Sequence, residues 1–221
     1  MKELYHVLNR GVDGRHIFLD SSDYVRFVHN LYEFNDSNPA PEFDRRSQRN
    51  VGLRKSHIRE KIVEIHGWCL MKNHFHLLLS EIAEGGVSLF LRKLNIGYAK
   101  YFNERYKRIG TLFQERTKKI PILTDAQFNY ILHYIHLNPL DYLDGAADWR
   151  IRSKSGIRDA RDARTYLEAY RWSSYLDYIG KKNFPSILTT SLFNEAPRAY
   201  RNDLYEYLRG AELDLADLRL E

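Results

Sequence analysis

Residues 62–80 read IVEIHGWCLMKNHFHLLLS, and the fold is decided here. The apolar runs 62–71 and 73–80 are two strands, and Met71-Lys72-Asn73 is the tight connection that turns one back along the other. Residues two apart in a strand face the same side. His74 and His76 therefore project together, and Phe75 goes to the opposite, core face.

Outward from this hairpin the pattern alternates between strand and helix. Upstream, 5–12 (YHVLNRGV) opens with apolar and β-branched residues, closes around Gly11 and reads as a first strand. Ser21 or Ser22 then caps a helix that carries Val25, Phe27, Val28, Leu31, Tyr32 and Phe34 to about Asn35. Downstream, 86–107 repeats Leu89, Phe90, Leu94, Ile96, Tyr98, Tyr101 and Phe102 at helical spacing. The stretch 109–123 alternates well enough to hold a strand. Asp125 caps a helix over 126–137, and Pro139 ends it.

The order β-α-β-β-α-β-α predicts an α+β, ferredoxin-like (RRM-like) antiparallel sheet with helices on one face, followed by a C-terminal helical appendage. Residues 1–140 are expected to form the main domain, which carries the site residues considered below. Residues 141–221 form a basic connector, 150–164, and a helical extension of the same domain, with helices over 165–170, 174–179 and 198–209. The polar stretch 35–59 reads as an exposed loop or a short basic helix.

The chain is 221 residues long, 43% apolar and 29% charged, which fits a soluble globular protein and not a disordered one. No apolar run approaches the roughly 18–20 residues of a membrane span, and no apolar segment near the start suits a signal peptide. The single cysteine, Cys69, excludes an internal disulfide, fits a reducing cytoplasm and reads as a small buried apolar residue.

The net charge is +5, a level at which a polyanionic partner is plausible. The basic residues cluster, at Arg45, Arg46, Arg49, Arg54, Lys55, Arg59 and Lys61, at Arg105, Lys107 and Arg108, at Arg116, Lys118 and Lys119, and at Arg150, Arg152, Lys154, Arg158, Arg161 and Arg164. Sixteen Tyr, eleven Phe and three Trp interleave with them. Cations for phosphates and flat rings for unstacked bases suit a single nucleic-acid strand.

Two imidazoles on one rigid face are half of a metal site, though paired histidines also occur on ordinary sheet faces. The helix ending at Pro139 carries Tyr130, Tyr134 and Asn138 four residues apart, on one helical face. A nucleophile at Tyr134 and a ligand one turn later at Asn138 are thereby presented side by side, and Tyr130 reads as packing. His133 and His136 share the helix, but His136 lies two residues from both Tyr134 and Asn138, roughly 200° around the axis, and faces elsewhere.

Several stretches resemble the HUH-type tyrosine transposases that mobilise insertion sequences as single strands, and most of all their REP-associated group. They are YHVLNRGVDGRHIF from Tyr5, GWCLMKNHFHLLL from Gly67, YFNERYKRIGTLFQERTKKI from Tyr101, YILHYIHLNPL from Tyr130 and RWSSY from Arg171. The resemblance spans about residues 5–180 in consistent order and implies the same ferredoxin-like fold. It makes His74-Phe75-His76 the H-U-H signature, Tyr134 the nucleophile and Asn138 the polar third ligand.

The implied reaction is metal-dependent transesterification of hairpin-associated single-stranded DNA. Tyr134 attacks a scissile phosphate to give a 5′-phosphotyrosine and a free 3′-hydroxyl, and a second 3′-hydroxyl reverses the step. The cofactor is a divalent cation, Mg²⁺ or Mn²⁺, and Mn²⁺ is the better match to two imidazoles and an amide oxygen. Asn9, Arg10, Arg105, Arg108, Lys118 and Lys119 are the candidate DNA contacts. Homodimer and monomer are both left open. The rival readings are an RRM-like sheet that grips a nucleic-acid hairpin without cutting, and a metal-dependent hydrolase with a water nucleophile.

Overall fold

The computed structural model describes residues 3–38, 59–146, 149, 157 and 159–210. Most of the basic stretch 35–59, and Arg150, Arg152, Lys154 and Arg158 of the connector, lie outside the described residues.

Four strands make one antiparallel sheet: β1 (Leu4–Arg10), β2 (Val63–Met71), β3 (His74–Glu81) and β4 (Lys118–Pro121). Their order is β2-β3-β1-β4, the ferredoxin-like arrangement expected from the sequence. Register fixes which side chains share a face. Leu8 sits between His76 and Lys118, and His76 is opposite Cys69. In the next row Arg10 faces His74, which faces Met71.

Helices α1 (Ser21–Glu33) and α2 (Gly86–Arg105) cover one face. Tyr24, Phe27, Val28 and Leu31 of α1, spaced at helical period, bury against Phe75, Leu77 and Leu79 of β3 and Phe90, Leu94 and Tyr98 of α2. The α1 cap is Asp20, one residue before the expected serines, in a reciprocal box with Asp23. The Asp23 carboxylate is buried and also accepts from Leu19 N, the Tyr101 and Tyr106 hydroxyls and Arg105. Gly97 of α2 has no space for a Cβ, which would come within 2.3 Å of the Phe34 ring, so the glycine admits the end of α1.

The second face is covered too. Helix α3 (Asp125–Leu137) lies on it, capped by Thr124 with Gln127 in a box, and not by Asp125. Three further helices pack around α3: α4 (Ala160–Ala169), α5 (Tyr175–Tyr178) and α6 (Pro197–Leu208). Part of the expected basic connector is thus helical from Ala160, because Ala163 and Leu167 bury against this second core. A Cβ on Gly67 would come within 2.8 Å of Leu132, so the glycine lets α3 sit close to β2.

The RWSSY segment closes the outer edge of β2. Leu70 N donates to Trp172 O and Ser174 N to Trp68 O, both at 2.9 Å, and Trp68 N donates to Ser174 Oγ. An open edge strand invites pairing with other chains, and this one is covered. Among the described residues no helix is long and apolar enough to cross a membrane.

Glu168 ties the helical extension together, with Arg201 at 2.6 Å and Lys181 at 3.0 Å. Partial burial alone raises its pKa, but hydrogen bonds from Lys181 and Arg201 outweigh that and leave it below the ordinary glutamate value. A carboxyl with a depressed folded pKa stabilises above its unfolded pKa, near 4.3, and that stability is lost as pH falls through the folded value. Glu168→Gln is therefore expected to cost about 1–2 kcal/mol at pH 7, the exposure of the two cations keeping the figure low. The difference from the parent should shrink toward zero near pH 3, as read by urea melts at both pH values.

Candidate active site beneath the third helix

His74 and His76 point from β3 toward α3, and Phe75 is in the opposite core, as strand alternation requires. His76 is fully buried, and His74, at the start of the strand, is 9% exposed. Their ring centroids are 4.9 Å apart with planes at 79°. His74 Nδ1 lies 2.6 Å from Asn73 Oδ1, while Asn73 Nδ2 donates to Gly14 O at 3.2 Å. An amide oxygen only accepts, so His74 is protonated at Nδ1 and carries its lone pair on Nε2.

A third imidazole belongs to the same cluster. His6 of β1 is buried one register row from His76, and its Nε2 is 2.9 Å from His76 Nδ1. The two rings are almost parallel, at 7°, with centroids 5.2 Å apart.

The α3 stripe meets this cluster through Tyr134. Its ring, 8% exposed, stands edge-on to His6 at 5.7 Å and to His76 at 6.0 Å. Trp149 flanks it at 5.6 Å and donates its indole N–H to Asp141. Tyr130, one turn earlier, bonds the Tyr207 hydroxyl at 2.8 Å, a contact that ties α3 to α6. Asn138 is buried and its Nδ2 donates to Tyr134 O at 2.8 Å, which leaves Oδ1 as the acceptor end of the amide.

His136 does face elsewhere, bonded to Tyr200 and Ser174, and complete burial holds its pKa well below the usual histidine value. His133 packs on Tyr200 and approaches Asp203 at 3.2 Å. Burial lowers its pKa, and Asp203 opposes the shift.

The six candidate DNA contacts divide between the two faces. By register Arg10 and Lys118 lie on the histidine face, in the rows of His74 and His76, and both are exposed. Asn9 has the other parity: its Nδ2 donates to Thr117 Oγ1 and its Oδ1 accepts from Arg10 N, which fixes the chain at the end of β1. Lys119 reaches Ser88 on α2. Arg105 is paired with Asp20 and Asp23, and Arg108 donates to Asn103. Arg10 and Lys118 are thus the two brought to the histidines.

Among the described residues no three His, Cys, Asp or Glu side chains converge on a common metal position, and that includes the set His6, His74 and His76. Sequence reasoning passed over His6 and Asn73. The signal for His6 was its even-residue parity with Leu4 and Leu8, but its neighbour His76 emerges only from strand register.

No curated protein matches the sequence closely enough to count as a relative. Among solved structures, that of a REP-associated tyrosine transposase bound to a REP hairpin is similar, with a TM-score of 0.47 and 12% identity over 89% of this chain and 90% of that one. Residues 45–138 match the family described as "Transposase IS200 like", a segment that runs from before β2 to Asn138 and contains His74, His76 and Tyr134. The matched segment spans less than half of the chain, and over it the chain is similar to the IS200-like transposases.

Proposed function

We propose that this chain is a transposase of the REP-associated kind, which cleaves and rejoins single-stranded DNA beside a hairpin through a 5′-phosphotyrosine on Tyr134. The observation that carries the reading is the edge-on placement of the Tyr134 ring against His6 and His76. A tyrosine is a weak nucleophile at neutral pH, since its ordinary pKa is near 10, and it needs an electrophile made more reactive beside it. His74 Nε2, His76 and Asn138 Oδ1 are the donors that would hold Mg²⁺ or Mn²⁺. When bound there, such a cation polarises a non-bridging phosphate oxygen and offsets charge in the transition state.

The residues of the chain do the rest. Helix α3 orients the phenol over the imidazoles, and Arg10 and Lys118 are placed to hold flanking phosphates. Trp149 limits the swing of the Tyr134 ring. The phenol oxygen bonds to phosphorus as the 3′-oxygen leaves and takes up a proton, and a second 3′-hydroxyl reverses the exchange. Residues 1–140 form the catalytic domain and 141–221 an extension of that same domain, because Tyr207 and Tyr200 bond α3 from α6.

The test is to incubate the protein with end-labelled hairpins bearing single-stranded flanks, with Mn²⁺ or Mg²⁺, and to denature. A covalent protein–DNA adduct that EDTA prevents is expected, with its label on the peptide 125–137. Binding without an adduct across a range of hairpins would leave a nucleic-acid binder in its place.

A further inference from the structure

The two histidines of the site are held by different partners in one common way. His74 Nδ1 donates to Asn73 Oδ1 at 2.6 Å, and that amide is oriented by its own donation to Gly14 O. His76 Nδ1 is engaged by His6 Nε2 at 2.9 Å, in a fully buried pair of near-parallel rings. A bond between two imidazole nitrogens works in either direction, so His76 takes whichever tautomer His6 imposes.

We infer that His6 and Asn73 are positioning residues that set both site histidines in the Nδ1–H tautomer, so that both offer the Nε2 lone pair on the α3 side of the sheet. His76 Nδ1–H donates to His6 Nε2, and His6 carries its own proton on Nδ1. Two imidazoles on alternate strand positions then present equivalent nitrogens to one side of the sheet. The outer partner of a ligating histidine fixes ring orientation and tautomer together. His6 has a second role in its edge contact with Tyr134, at 5.7 Å, so one residue orients the ligand ring and braces the nucleophile.

The part of this inference that concerns cation affinity rests on the metal reading proposed above, whereas the tautomers are measurable without a metal. Histidine ¹⁵N–¹H correlation spectra of the metal-free protein should show His74 and His76 protonated at Nδ1 and bare at Nε2. His76 protonated at Nε2 would overturn the inference. His6→Phe keeps the ring and removes the acceptor, so His76 should lose its single tautomer and Mn²⁺ affinity should fall about 10–100-fold, as for other outer partners. His6→Gln, which can accept through Oε1, should recover part of that loss, an outcome that a mere packing role does not produce.

Asn73→Ala probes the other half at a half-buried turn position, so a poorly folding His6 variant does not stop the test. It should weaken Mn²⁺ binding, and Asn73→Asp, which keeps the acceptor, should restore it. Unchanged tautomers and unchanged Mn²⁺ affinity in both His6→Phe and Asn73→Ala would sink the inference. A parent protein with both histidines in the Nδ1–H form that binds no Mn²⁺ would support it and refute the metal reading alone.

Discussion

Tyr134→Phe is expected to abolish the covalent adduct with hairpin DNA, a loss of at least about 10³-fold, since removal of a nucleophile takes the whole covalent route with it. Only one oxygen atom is deleted. The ring keeps its contacts with His6, His76 and Trp149, which fall within 5.6–6.0 Å. The cost in stability should therefore stay within about 1 kcal/mol, and hairpin affinity by filter binding should be unchanged. Tyr130→Phe is the matched control one turn earlier. Its hydroxyl bonds Tyr207, so it should lose about 1 kcal/mol of stability and still form the adduct. The reverse pattern would move the nucleophile to Tyr130. If Tyr134→Phe still cut DNA and left a free end, water would be the nucleophile and the covalent mechanism would fail.

What the sequence made legible follows from local periodicity. The alternation in 73–80 placed His74 and His76 on one face, and the spacing of Tyr130, Tyr134 and Asn138 set a stripe along α3, because both patterns depend only on the geometry of a single element. The packing role of Tyr130 and the turned-away His136 follow from the same rule. Strand order came from the succession of elements and a small menu of permitted topologies.

Register did not come from the sequence. His6 lies in a short strand between Tyr5 and Val7, and nothing local says that Leu8 will stand opposite His76 and place the His6 ring beside it. Charge misled for a related reason. Arg105 belongs to a basic cluster suited to phosphate, but Asp20 and Asp23, more than eighty residues earlier in the chain, hold it in ion pairs at 2.6 and 2.9 Å. Lys118 and Lys119 are neighbours with equal charge, and strand alternation sends them to opposite faces. The start of α4 at Ala160, ahead of the expected 165, was hidden because the one residue it buries there, Ala163, sits in a basic run.

The two site histidines should separate when each is replaced by alanine. His74 stands at the start of β3, 9% exposed, with its Nδ1 bonded to the adjacent Asn73 and its ring against His76, so His74→Ala removes less packing than the loss of the fully buried His76. It should cost about 1–2 kcal/mol of stability. Mn²⁺ affinity should nevertheless fall by more than about 100-fold, beyond the range of outer-shell changes, and adduct formation should go with it. His76 is fully buried between Leu8 and Cys69, bonded to His6 and faced by Tyr134. Its replacement opens a cavity and strips a buried hydrogen bond as well, for about 2–4 kcal/mol. Loss of activity in His76→Ala alone is therefore compatible with a loosened sheet. His74→Ala is the variant that tests coordination, read as Mn²⁺ affinity by titration alongside the melting temperature. A His74→Ala protein that stays folded, binds Mn²⁺ as tightly as the parent and still forms the adduct would remove His74 from the ligand set. The same protein with its fold intact and its cation affinity gone would place the metal on the histidine face of β3, where the Tyr134 ring already stands.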